Sequence, residues 1–167
     1  MAMLGLGCAP EQSGIVSNVY HNTTARYNAY FYARLQMDEI DQTIAESQEN
    51  NYNKILKIFP EPDTMLINGL SEELENCLKK ASIAIERHPN SQWADDSYIL
   101  VGQCRAYNQN YADAIKTFKF VNTHSEEDNA RHQALVKLMH TFIEAGEQNN
   151  AISVSDYLRK EKLYLAN

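Results

Sequence analysis

The sequence is poor in the residues that make loops, cross-links and metal sites. Six Gly and four Pro in 167 residues are too few for a loop-rich fold. Of the three cysteines, Cys8, Cys77 and Cys104, no two form a Cys-x-x-Cys pair, and no His cluster completes a metal set. No apolar run approaches the roughly 20 residues of a membrane span. Basic runs with interleaved aromatics are missing too. The net charge of −7, with a pI near 5.2, argues against a nucleic-acid backbone as partner.

The chemistry of catalysis is equally thin. There is no Gly-rich phosphate loop, His-Glu-x-x-His run or nucleophile elbow. His132, His140 and Glu144 are the only suggestive set, and the spacing of His140 and Glu144 is ordinary helix-surface pairing. The expectation is a protein that is not an enzyme, with no cofactor and no small-molecule substrate.

Tyrosine, by contrast, is abundant, and it suits both packing between helices and binding surfaces. The stretch from Ala81 to Val121 organises the rest. Tyr98, Val101-Gly102, Tyr107, Tyr111, Ala114, Phe118 and Val121 fall in the order and spacing of a tetratricopeptide repeat, a helix-turn-helix unit of about 34 residues. In that frame Gly102 lets the first helix approach Ala114 on the second, and Phe118 and Val121 point at the following unit. Such a unit cannot bury its apolar faces alone. Upstream, Cys77, Ala81, Ala84 and Pro89 occupy the places of a preceding second helix and its closing Pro. Downstream, Leu135, Leu138-Met139, Phe142, Gly146, Ala151 and Leu158 repeat the pattern, with Ala151 lying 37 residues after Ala114. A longer turn at Ser125–Asn129 accommodates that extra length. The predicted fold is all-α, a tetratricopeptide-like α-solenoid of about three antiparallel helix pairs in a right-handed superhelix. Cys77 and Cys104 fall at tight packing positions, which predicts buried free thiols, with a disulfide as the alternative.

The first helices of such units line a concave surface. The repeat frame places Asp96, Ile99, Gln103, Tyr107, Gln133, Val136 and His140 there, a candidate groove for a segment of a partner, with Tyr107 as its aromatic anchor. It carries no Lys or Arg, so a clamp for a C-terminal carboxylate is not expected.

Ahead of the repeats, Val16–Glu49 reads as one long helix with a start at Asn22-Thr23-Thr24. Tyr20, Tyr27, Phe31 and Leu35, then Ile40, Ile44 and Gln48, share its apolar face. From about 50 to 70 the pattern breaks into an irregular insertion ending in Phe59-Pro60-Glu61-Pro62, and its apolar content implies packing on the repeats or on a partner. Ser71-Glu72-Glu73 opens the next helix. The final Glu161–Asn167 lacks the polar face of a solenoid cap, which suggests a piece of a longer protein. Residues 1–21 read as a leader, and 22–167 as the repeat domain. Within the leader, Leu4-Gly5-Leu6-Gly7-Cys8 followed by a polar tether resembles a bacterial lipobox, in which Cys8 becomes the acylated N-terminus.

Three segments carry a narrower resemblance: Val19–Phe31, Asn51–Leu56 with Phe59-Pro60, and His88-Pro89-Asn90-Ser91-Gln92-Trp93-Ala94-Asp95-Asp96. In this order they resemble the type IX secretion and gliding-motility lipoproteins of Bacteroidota, of the PorW/SprE type, over most of the chain from Cys8 to about Tyr111. The resemblance implies a periplasmic protein held at the outer membrane through Cys8. It implies tetratricopeptide repeats, and partners among secretion-machine proteins, as a link between the translocon and ring or motor components. The other reading of the same residues is a free-standing peptide-binding repeat module, a chaperone or assembly adaptor.

Overall fold

The computed structural model describes residues 19–24, 29–49, 52–53, 59 and 62–165, with side chains through Glu161. The chain is all-helical over these residues, and no strand occurs among them. The helices are α1 (Ala29–Glu46), α2 (Thr64–Gly69), α3 (Ser71–Arg87), α4 (Ala94–Tyr107), α5 (Tyr111–His124), α6 (Asp128–Glu144) and α7 (Gln148–Leu165). A further helical stretch covers 19–24.

Local chemistry sets the ends. The Asp63 carboxylate accepts the Leu66 N–H at 2.7 Å and caps α2. Glu72 and Glu73 stand in the first turn of α3 and Arg87 in its last, each complementing the helix dipole. Asn110 caps α5, and Gly146 ends α6 in the left-handed region at φ 76°. Gln109 takes a similar conformation at φ 58°, so the turn between α4 and α5 is made without glycine.

Short connections then force neighbours together. From α3 to α7 each helix packs on the next, α1 packs on α3 and α4, and α4 also touches α6. Contacts give directions: Tyr98 meets Phe120 and Arg105 meets Thr117, so α5 runs against α4. Tyr30 reaches Asp96 while Asp41 reaches Tyr107, so α1 and α4 run the same way. Side chains from α1 to α4 form one core cluster, with Met37, Ile40, Ile44, Leu74, Cys77 and Cys104 at its centre. Side chains from α4 to α7 form a second, around Phe118, Val121, Ala134 and Phe142. Helix α4 contributes to both, through Leu100, Val101 and Cys104 to the first and Ile99 to the second.

Several sequence expectations change in detail. The apolar face of α1 is Tyr30, Ala33, Met37, Ile40 and Ile44, while Phe31 and Leu35 are 50% and 45% exposed. The expected face drifted because the aromatic run offers apolar residues on two sides; Ala33 and Met37 make the closer approach. Gly102 is needed for the Phe118 ring rather than for Ala114. A Cβ there would lie 2.6 Å from Phe118 Cε1. Phe118 itself is fully buried in the second cluster, where α6 packs over it. The connection after α5 is only 125–127, as short as its neighbours, so α6 takes up the extra length of that unit. The insertion at 50–70 is partly regular, since α2 lies within it. Residues 25–28, including Tyr27, lie outside the described set, as do residues 1–18 of the leader with Cys8.

Cys77 and Cys104 are free thiols with no exposure. Cys77 donates to the Ala33 carbonyl at 3.1 Å, which lets α3 lie close on α1. Contact with Cys77, reinforced by burial, pushes the Cys104 thiol far up, so it stays neutral.

Candidate functional site

The seven residues of the expected groove divide between covered and open positions. Asp96, Gln103 and Tyr107 lie on the side of α4 that faces α1. The Tyr30 hydroxyl donates to Asp96 Oδ2 at 3.5 Å and accepts from Arg34 at 3.3 Å, while its ring stacks on Trp93 at 5.1 Å between centroids. Gln103 is buried and donates through Nε2 to both oxygens of Asp41, at 3.1 and 2.9 Å. The Tyr107 hydroxyl donates to Asp41 Oδ1 at 2.5 Å. Burial and the adjacent Asp41 carboxylate push the Tyr107 phenol well up, and burial raises Asp96. Ile99 is buried in the second core cluster. Four of the seven are therefore engaged within the chain.

Gln133, Val136 and His140 lie along α6. Gln133 is exposed and Val136 is 40% exposed. His140 is partly covered: the Phe59 ring lies 4.2 Å from it, and its Nε2 is 3.5 Å from Glu144 Oε1. Phe59 of the insertion thus packs on α6. A cavity of about 610 Å³ remains between Phe59 and Ile67 on one side and Tyr107, His140 and Ile143 on the other.

The expectation of a face without basic residues fails at Lys137, one turn from Gln133. Burial pulls its ammonium pKa down, and Asp41 and Glu144 pull it back up. Two carboxylates, Asp41 and Glu144, therefore act on one ammonium at this face. His132 does not join His140: its Nε2 meets Glu161 Oε2 on α7 at 2.8 Å. No group of three or more metal-ligating side chains occurs among the described residues.

Two of the three segments that resemble the secretion lipoproteins meet in space, and most of the third, around Asn51–Leu56, lies outside the described residues. His21 and His88 face each other, Nδ1 to Nδ1 at 2.9 Å, and both are buried. The Gln92 N–H donates to Asn22 Oδ1 at 2.8 Å. With the Tyr30–Trp93 stack, these bonds fasten Val19–Phe31 to His88–Asp96.

No protein-family model and no curated protein matches the chain. Geometry alone therefore carries the reading of the site. What it offers is cohesion inside and apolar exposure at a few outer positions: Val136 at 40% and Ile143 at 49% on α6, Ile152 at 59% and Tyr157 at 48% on α7.

Sequence reasoning missed Asp41, the residue on which Gln103 and Tyr107 converge. Its signal was legible: an acid set between Ile40 and Ile44 on an apolar stripe is out of place unless something satisfies it.

Proposed function

We propose that the chain is a non-enzymatic protein–protein interaction scaffold, built as a tetratricopeptide-like α-solenoid of three helix pairs, α1–α3, α4–α5 and α6–α7. The observation that carries this reading is the contact pattern. Each helix packs on its partner, each pair on the next, and the first helices α1, α4 and α6 touch in succession. That is the nearest-neighbour arrangement of a repeat stack. Gln133 and Val136 are the part of the expected groove that is exposed, and Ile143 extends that strip along α6 as a surface for a partner.

The resemblance of the N-terminal segments places this scaffold, on our reading, in the type IX secretion and gliding machinery. There it is a lipoprotein on the periplasmic face of the outer membrane, anchored through Cys8, linking the translocon to ring or motor components. No helix among the described residues is long and apolar enough to cross a membrane, so attachment by lipid is compatible with the fold. A single acyl chain holds a protein only marginally, and a mature bacterial lipoprotein carries several.

The test is affinity purification of the tagged full-length precursor from native membranes, with Cys8→Ser and Val136→Asp variants alongside. The expected outcome is that type IX components co-purify with the wild type, that Cys8→Ser shifts the protein to the soluble periplasmic fraction, and that Val136→Asp loses components without losing the membrane. Recovery of no secretion component under gentle cross-linking would overturn the assignment.

A further inference from the structure

Helix α4 has a second working side. At 100° per residue, Tyr98, Val101 and Arg105 point away from the Gln103 and Tyr107 side that meets α1. There α3 and α5 flank α4 and leave a groove of about 620 Å³. Its walls are mainly apolar, from Ile85, Val101, Tyr98 and Phe120, and the Tyr98 and Phe120 rings lie 4.9 Å apart at one end. Phe120 is 39% exposed although it is a large aromatic. The charged groups of the groove are separated by sign. Arg105 and Lys116 stand towards the end away from the rings, and Glu86 lines it from the end of α3.

Arg105 is the informative residue. It is half-buried, and it donates through Nη1 to the neutral Thr117 hydroxyl at 2.6 Å. Among the described residues no carboxylate forms an ion pair with it. Asp113 is near enough to feel its charge, but that carboxylate is held by Lys116 at 3.0 Å and by Asn110 at 3.0 Å. A guanidinium carries five donors in a planar fork suited to a carboxylate. One donor is used on Thr117, which fixes the fork at the mouth of an apolar trough.

We propose that this groove binds a segment of a partner protein in which an apolar side chain, resting against the Tyr98–Phe120 ring pair, is accompanied by a carboxylate taken by Arg105 with help from Lys116. The spacing follows from α4. Seven residues at 1.5 Å put the two subsites ~10 Å apart, which an extended segment spans in about three residues. Glu86 disfavours a second acid at the aromatic end, so the segment has a polarity. This surface lies across α4 from the α6 strip, and it stands or falls independently of the secretion reading.

The probe is a set of fluorescein-labelled decapeptides of Gly and Ser carrying one Phe and, three residues away on either side, one Asp. Versions with Asn or Lys replacing the Asp, and with Ala replacing the Phe, complete the set. Binding is read by anisotropy up to millimolar protein, and its place by backbone amide shifts. At least one Asp order is expected to bind about tenfold more tightly than its Asn version, with shifts confined to α3, α4 and α5 around the groove. Arg105→Gln is expected to abolish that preference. Lys116→Glu, at a side chain 77% exposed, is expected to weaken the Asp peptide severalfold with the thermal melt unchanged. No binding by either Asp order, equal binding of Asp and Asn versions, shifts on α6 instead, or a preference that survives Arg105→Gln in a folded protein would each overturn the proposal.

Discussion

The two halves of this helical stack are held together differently. From α1 to α4 the apolar cluster is overlaid with polar bonds between residues far apart in sequence: His21 to His88, Asn22 to Gln92, Tyr30 to Asp96, Gln36 to Lys80, and Asp41 to Gln103 and Tyr107. From α5 to α7 cohesion comes from aliphatic and aromatic packing around Phe118 and Phe142, and apolar side chains are left at the surface on α6 and α7. Polar bonds specify which surfaces meet; apolar packing supplies most of the free energy. The first half thus carries many polar bonds between distant residues and the second few, such as His132 to Glu161. Apolar side chains are exposed in both, Phe31 and Leu35 on α1 as well as Val136 and Ile152.

That contrast can be broken most forcefully at Phe118. Phe118→Ala removes a fully buried ring and is expected to cost about 3–5 kcal/mol, seen as a large drop in the denaturation midpoint. Gly102→Ala attacks the same contact from the other side. The added Cβ meets a ring with nowhere to go, and a loss of roughly 1–3 kcal/mol is expected. A melt unaltered by Gly102→Ala would mean that the α4–α5 crossing is misplaced.

The polar half responds to Asp41→Ala, which strands the buried Gln103 amide and the Tyr107 hydroxyl. A cost of roughly 1–3 kcal/mol in chemical denaturation is the expected result. A neutral outcome would remove the distinction between the halves. For the same reason Gln103→Ala and Tyr107→Ala are poor probes of partner binding, because they loosen α1 before they touch any ligand.

Acid sharpens the comparison further. Burial, His21 and Arg87 all lower the His88 pKa, so the unfolded chain takes up its proton first as pH falls. The contribution is complete above the ordinary His value of about 6.5 and is lost as pH drops through the lowered folded value. Loss of amide protection around 19–24 and 88–93 ahead of α5–α7 is the expected signature in hydrogen exchange against pH. The smallest effect belongs to the open strip. Val136→Ser and Ile143→Ser are expected to leave stability within about 0.5 kcal/mol, so a binding defect there reports the partner alone.

Much of the fold was legible because small residues at fixed spacing can do little else. Gly102, Ala114 and Ala151 mark the helix crossings, and the breaks at Pro89 and Gly146 mark the turns. The groove was legible only as a direction. Helical periodicity told which side of α4 Asp96, Gln103 and Tyr107 occupy, but not that α1 lies on that side. Deciding that needed Asp41 to be recognised as their partner, and a sequence separation above sixty residues hides such pairs from any local pattern. The face of α1 was misread for a related reason: with aromatics at 30, 31 and 32, periodicity has more than one solution, and only the neighbouring helix selects among them.

Helix α4 belongs to both core clusters, and this bears on how the molecule comes apart. A stack whose units met only at their ends could fray from one side, unit by unit. Here Leu100, Val101 and Cys104 sit in one interior and Ile99 in the other, one residue away, on the same rigid rod. Loosening either interior disturbs the helix that anchors the other, so beyond local opening at 19–24 and 88–93 the two halves are expected to unfold in one transition even though their adhesives differ. Coincident melting of probes placed in α1 and in α7 is the expected consequence of that shared helix.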